Sequence, residues 1–176
     1  MRIREERPDD RQPVREIHRQ AFGDQGTMVA GLVDDLRDGA LSLVAERDGQ
    51  VVGHVMFSRI LLDAPRRLVE VQTLSPLGVL PGYQRQGVGS ALVRAGLQIM
   101  SDRGVPVVFL EGDPRYYGRF GFVAGRGLDF RRPSLRIPDA GFQALTLPAY
   151  EPWMTGTMVY SDVFWRHDLV GLRSQD

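Results

Sequence analysis

Pro76-Leu77-Gly78-Val79-Leu80-Pro81-Gly82-Tyr83-Gln84-Arg85-Gln86-Gly87-Val88-Gly89-Ser90 joins an apolar strand to a long amphipathic helix through a glycine-spaced turn. Pro81 and Gly82 stop the strand, and Gly87 and Gly89 let backbone approach a ligand without a Cβ in the way. The first N–H groups of the helix that follows have no intrahelical partner and carry the positive end of its dipole. Such a turn is an anion site suited to a phosphate or pyrophosphate.

Three phosphate-binding patterns compete for it. A Walker loop requires a lysine, and all 22 basic residues of the chain are arginine. A dinucleotide fingerprint requires a third small residue where Leu92 stands. The pattern [QR]-x-x-G-x-[GA] after a strand is matched by Gln84-Arg85-Gln86-Gly87-Val88-Gly89.

Outward from the loop, Leu68 to Val79 reads as the strand before it. After Gly87, Val88, Ala91, Leu92, Ala95 and Ile99 share one helical face, with Val93, Leu97 and Met100 beside it. Gly96 inside that helix costs about 1 kcal/mol relative to alanine, so the spacing predicts close packing there. Val105 to Leu110 is almost wholly apolar and reads as a buried parallel strand, closing a βαβ crossover over Leu68 to Leu110.

Upstream, Arg2 to Glu6 opens a sheet with Ile3 buried. Asp9 or Asp10 caps a helix carrying Val14, Ile17 and Ala21, and Thr27 to Arg37 forms a second. Leu41 to Glu46 and Val51 to Ile60 flank Asp48-Gly49, a hairpin signal. Downstream, Ala144 to Leu147 and Thr157 to Phe164 read as late strands, and Arg126 to Phe142 as loop.

The chain of 176 residues is 43% hydrophobic and 25% charged, with a formal net charge of zero, as expected for one soluble domain over 1–176. Zero charge argues against a nucleic-acid surface. No apolar run reaches the ~20 residues of a membrane helix. Met1 to Asp10 lacks the apolar core of a signal peptide, so the expectation is a cytoplasmic protein with no membrane partner. With no cysteine, disulfides, thiolate metal sites, iron–sulfur clusters and a cysteine nucleophile are excluded. His18, His54 and His167 lack metal-ligand spacing, and no metal is expected.

With Gln84 to Gly89, a second motif, Tyr116-Tyr117-Gly118-Arg119-Phe120-Gly121-Phe122, carries a family resemblance. The chain resembles the GNAT N-acetyltransferase superfamily in its small bacterial-type branch, with 1–123 best matched and 124–176 left as C-terminal strands and loops. The resemblance implies an α/β (α+β) fold: a central mixed, mostly antiparallel twisted sheet flanked by helices, with the βαβ crossover forming the acyl-CoA site. It implies acetyl transfer from acetyl-CoA, or from a related acyl-CoA, to a primary amine by direct attack in a ternary complex. The alternative is a module that binds acetyl-CoA without turnover.

On the same resemblance, Leu77, Gly78 and Val79 pair with the pantetheine arm. Gln84, Arg85, Gln86, Gly87, Val88, Gly89 and Ser90 cradle the pyrophosphate, with a backbone N–H near Val79 polarising the thioester carbonyl. Tyr117 is the candidate acid for the leaving thiolate, and Tyr116 is its competitor. A thiol near pKa ~8.5 and a tyrosine near ~10 differ by about 2 kcal/mol, within reach of positioning. Thr73 stands where some members carry a glutamate base. Glu70, Glu111, Asp113 and His54 are the remaining candidates, with Glu111 named because it ends the buried strand before Tyr117. Arg131, Arg132 and Arg136 read as a solvated basic face or an anion contact. Tyr150, Trp153, Tyr160, Phe164 and Trp165 read as core, as a subunit contact or as an acceptor pocket, and a homodimer through the late strands is possible.

Overall fold

The Asp48-Gly49 step turns the chain with both residues at positive φ, 52° and 78°, as a two-residue hairpin requires. In the computed structural model, which describes residues 1–173, it joins β2 (Leu41–Arg47) to β3 (Gln50–Asp63) in antiparallel register, Leu41 opposite Phe57. The chain forms two compact units, one of Met1–Ser58 with Leu74–Ile99, the other of Arg59–Thr73 with the chain from Met100 onward. Strands β3 and β4 (Leu68–Val79) contribute residues to both.

In the first unit, β1 (Arg2–Glu5) pairs antiparallel with β2, and β3 neighbours β4. Ile3 is half-buried rather than buried, because β1 is an edge strand. α1 (Arg11–Phe22) buries Val14, Ile17 and His18 and leaves Ala21 half-covered. Asp10 does not cap it. Its carboxylate accepts the Arg7 N–H at 2.7 Å and pairs with Arg4 at 2.6 Å, which holds it below the usual carboxylate range. α2 (Gly26–Leu36) buries Val29, Leu32, Val33 and Leu36, the stripe its spacing predicts.

The two faces of these strands are set by alternation. A Cβ on Gly53 of β3 would meet Val88 and Leu92 of α3 (Val88–Asp102), and one on Gly96 of α3 would lie 2.1 Å from the buried Phe57 ring. His54, one residue on from Gly53, contacts His18 of α1 instead. α3 and α1 therefore pack on opposite faces of β3. The close approach predicted at Gly96 is made against Phe57.

In the second unit, β5 (Val107–Glu111) pairs parallel with β4, Gln72 opposite Val108 and Thr73 opposite Phe109, as the crossover requires. On its other edge β5 pairs antiparallel with β8 (Phe142–Thr146), which also holds the two-residue β6 (Val123–Ala124). β9 (Gly156–Val159) pairs antiparallel with the end of β3 and parallel with β7 (Phe130–Arg131). The sheet is thus mixed and mostly antiparallel, with helices on its strands. Phe109 is fully buried between Phe130, edge-on at 4.9 Å, and Phe142, stacked at 5.6 Å.

The last predicted strand is shorter than its apolar pattern suggests. β9 stops at Val159, and Ser161 starts a helix, α5 (Asp162–Arg166), with Asp162 in its first turn. Phe164 is buried from that helix and Tyr160 stacks on it at 4.5 Å, so both belong to the core. Among the described residues no helix is long and apolar enough to cross a membrane.

Candidate functional site

The loop after β4 is built by backbone first. The Leu80 N–H donates to Val52 at 2.9 Å, so by alternation the peptide groups of Leu77 and Val79 point to the other edge of β4. Pro81–Tyr83 makes one 3-10 turn, Gln84 is extended, and Arg85 and Gly87 take positive φ of 59° and 84°. The Ala91 N–H closes the first helical bond onto Gly87 at 3.0 Å. The N–H groups of Val88, Gly89 and Ser90 thus open the 15-residue helix α3 ahead of its first bond.

Side chains hold this loop in shape. Gln84 donates from Nε2 to the Val79 carbonyl at 3.0 Å, and Gln86 donates to the Gly82 carbonyl at 2.9 Å. Arg47 of the hairpin donates to Gln86 at 2.8 Å and lies 5.7 Å over the Tyr83 ring, whose hydroxyl donates to Gln50 at 3.1 Å. Both glutamines therefore spend their amide N–H on loop carbonyls, and Arg85 is exposed. All ten residues expected at the coenzyme, Leu77 to Val79 and Gln84 to Ser90, lie in the first unit, at the end of β4, in the turn and at the start of α3, with Gly78 and Val88 buried.

Tyr117 and Glu111 belong to the second unit. Asp113 caps α4 (Pro114–Tyr117), accepting the Arg115 N–H at 2.9 Å. Its tyrosines pack edge-to-face at 4.9 Å, and Tyr117 lies against Gly112, where a Cβ would approach its ring to 2.5 Å. Burial, with a smaller contribution from Tyr116, raises the Tyr117 hydroxyl well above the usual range. Glu111 is also raised by burial, against the opposing effect of the Tyr160 hydroxyl at 2.6 Å and the Gly171 N–H at 3.2 Å. Glu70 pairs with Arg59 at 2.6 Å on the exposed surface. Thr73 is buried and donates to the Phe109 carbonyl at 3.1 Å.

The basic residues of the tail are spent locally. Arg131 donates to Thr157, Arg132 to the Ile137 carbonyl and Asp139, and Arg136 to the Val170 carbonyl. Trp153 is half-buried with Arg66 and Arg67 over its ring, and Trp165 is largely exposed. Among the described residues, no group of three or more histidine, aspartate or glutamate side chains is arranged to hold a metal.

Sequence reasoning passed over His18 and treated His54 as one candidate among four. The structure joins the two: His18 Nε2 and His54 Nδ1 are 2.7 Å apart with both side chains fully buried. The available signal was His54 itself, a polar residue inside the apolar strand Val51-Val52-Gly53-His54-Val55-Met56-Phe57.

A strand that ends in a glycine turn at a helix start, inside a mixed, mostly antiparallel sheet with parallel pairs at β4–β5 and β7–β9, is the architecture that the comparisons with known proteins match. The chain belongs to the GNAT family: residues 2–125 match the family's acetyltransferase (GNAT) domain. It is similar to the Escherichia coli protein YjhQ, named an uncharacterized N-acetyltransferase, at 37% identity over 116 residues, which span 64% of this chain and 64% of YjhQ. The fold is similar to that of the GNAT N-acetyltransferase YhbS of Escherichia coli, solved with CoA. That match has a TM-score of 0.83 and 34% identity, over 94% of this chain and 92% of that one. A GNAT acetyltransferase of Brucella melitensis, solved with acetyl-CoA, matches at a TM-score of 0.74 and 35% identity, over 93% and 97% of the two chains.

Proposed function

We propose that this chain is a single-domain N-acyltransferase that moves the acetyl group of acetyl-CoA to a primary amine by direct attack in a ternary complex. The observation that carries the reading is the preorganised loop at the start of α3, with Gly87 at positive φ and the N–H groups of Val88, Gly89 and Ser90 ahead of the first helical bond. Two relatives of about one-third identity that match over nearly their whole length hold CoA and acetyl-CoA.

In this reading the loop N–H groups hold the pyrophosphate and the open edge of β4 at Leu77 and Val79 holds the pantetheine amides. The Val79 N–H faces the thioester oxygen as it gains charge. Gln84 and Gln86 shape the loop, and the phosphate contact comes from backbone. Tyr117 gives its proton to the departing thiolate. Its burial makes it a poorer acid than free tyrosine, so the step is uphill by more than the ~2 kcal/mol of unperturbed groups. A thiolate delivered into the same apolar surroundings is raised in the same direction, which narrows the gap again.

The test is release of free CoA thiol from acetyl-CoA with a panel of primary amines. Amine-dependent thiol release with matching amide formation is the expected result. Saturable acetyl-CoA binding with no release for any amine contradicts turnover and leaves a coenzyme-binding module.

A further inference from the structure

Four buried or nearly buried groups in the first unit form one hydrogen-bonded line. The Glu6 carboxylate, paired with Arg37 at 3.0 Å, accepts the Ser42 hydroxyl at 2.5 Å. Ser42 Oγ lies 2.8 Å from His54 Nε2, and His54 Nδ1 lies 2.7 Å from His18 Nε2. The last atom, His18 Nδ1, is buried without a hydrogen-bond partner.

The direction of the line follows from its ends. A carboxylate can only accept, so the one Ser42 proton is spent on Glu6. Ser42 then accepts from His54 Nε2–H, which leaves His54 Nδ1 bare to accept from His18 Nε2–H. Burial lowers His18 to about 4, and burial with the nearby His18 and Arg37 holds His54 well below the usual imidazole range, so both rings are neutral at pH 7. A neutral imidazole with its proton on Nε2 carries a lone pair on Nδ1. That lone pair faces the coenzyme strand: a Cβ at Gly78 would lie 2.8 Å from His18 Nδ1. It is on the α1 side of these strands, opposite the face where α3 packs.

Building on the acyltransfer reading, we infer that His18 Nδ1 is the proton acceptor for the attacking amine, directly or through one water, with His54, Ser42 and Glu6 as positioning residues. As the amine nitrogen bonds to the thioester carbon, its proton passes to His18 Nδ1. The C–S bond then breaks, Tyr117 protonates the thiolate, and solvent takes the proton from His18 and restores that of Tyr117. Glu6 stays a carboxylate and Ser42 keeps its proton throughout, and together they fix the tautomer, as the carboxylate of a Ser-His-Asp triad does. The base is free down to about pH 4, and the nitrogen it relieves is the acidic ammonium of a tetrahedral adduct rather than a free ammonium.

The experiment measures thiol release from acetyl-CoA with excess benzylamine for the wild type, His18→Ala and Ser42→Ala, with thermal unfolding to follow folding and coenzyme binding. His18→Ala is expected to lose about 100-fold or more in kcat. Its KM for acetyl-CoA stays unchanged, and added imidazole restores part of the rate. Ser42→Ala is expected to lose about tenfold without imidazole rescue. A folded His18→Ala protein that keeps the wild-type rate overturns the assignment, as does a wild type that binds acetyl-CoA yet releases no thiol. A wild type that fails to bind acetyl-CoA removes the acyltransfer reading itself. Should His18→Ala not fold, nitrogen-15 spectra of the wild type decide: a protonated Nε2 and bare Nδ1 on His18 support the line, and the reverse tautomer overturns it.

Discussion

Tyr117, the acid of the proposed reaction, separates packing from chemistry within one side chain. Its ring is held edge-on by Tyr116 at 4.9 Å and by Phe122 at 6.0 Å, so losing the hydroxyl alone leaves this packing in place. Tyr117→Phe is therefore expected to fold normally and to bind acetyl-CoA as the wild type does. Its kcat should fall by about 10- to 100-fold, a change seen only in the step that expels the thiolate. Steady-state kinetics check this, and an unchanged kcat moves the acid role to Tyr116 or to water. Glu111 is a different case. Tyr160 and Gly171 occupy its oxygens, which makes its first role the anchoring of the C-terminal segment to β5.

At the scale of elements, α3 sets two opposed effects against each other at Gly96. Helix propensity alone favours Gly96→Ala by about 1 kcal/mol. The added Cβ would meet Phe57 at 2.1 Å, and Phe57 is fully buried, so the ring cannot turn aside cheaply. Overpacking of this kind costs about 1–3 kcal/mol, so packing wins. Gly96→Ala is expected to lower the denaturation midpoint, and a raised midpoint contradicts the packing. This glycine was legible beforehand because helical periodicity ran straight through it. The bounds of β4, the Asp48-Gly49 turn and the parallel partner β5 were legible for similar reasons, each being a local pattern. The tail was less so: Thr157 to Phe164 is largely apolar, and only the polar step Ser161-Asp162 divides strand from helix. The line from Glu6 through Ser42 and His54 to His18 was not legible at all, since it joins β2, β3, α1 and the residue after β1, with bonded partners up to 36 residues apart.

For the whole molecule, the buried histidine pair ties stability to pH. His18 titrates near 6.5 when unfolded and is lowered to about 4 by burial when folded, and His54 is also held well below its usual range by burial. A group depressed in the folded state contributes stability above its unfolded pKa and loses it as pH falls toward the folded one. Stability should thus decline from about pH 6.5 toward 4, by about 1.4 kcal/mol per pH unit for each histidine that the unfolded chain protonates. The salt-bridged Asp10 and Asp34 act in the same direction at lower pH, while Glu111, raised by burial, acts in the opposite one. Urea unfolding across this range checks the slope, and His54→Gln should flatten it.

The coenzyme site is the claim on which the rest depends. Thermal unfolding of the wild type and of Gly89→Trp, each with and without acetyl-CoA, tests it most directly. At a hundred times its dissociation constant, acetyl-CoA should stabilise the wild type by about 2.7 kcal/mol and leave the blocked variant unmoved. A wild type unmoved at millimolar acetyl-CoA, or a variant stabilised equally, would contradict the assignment of the loop at Gln84 to Ser90.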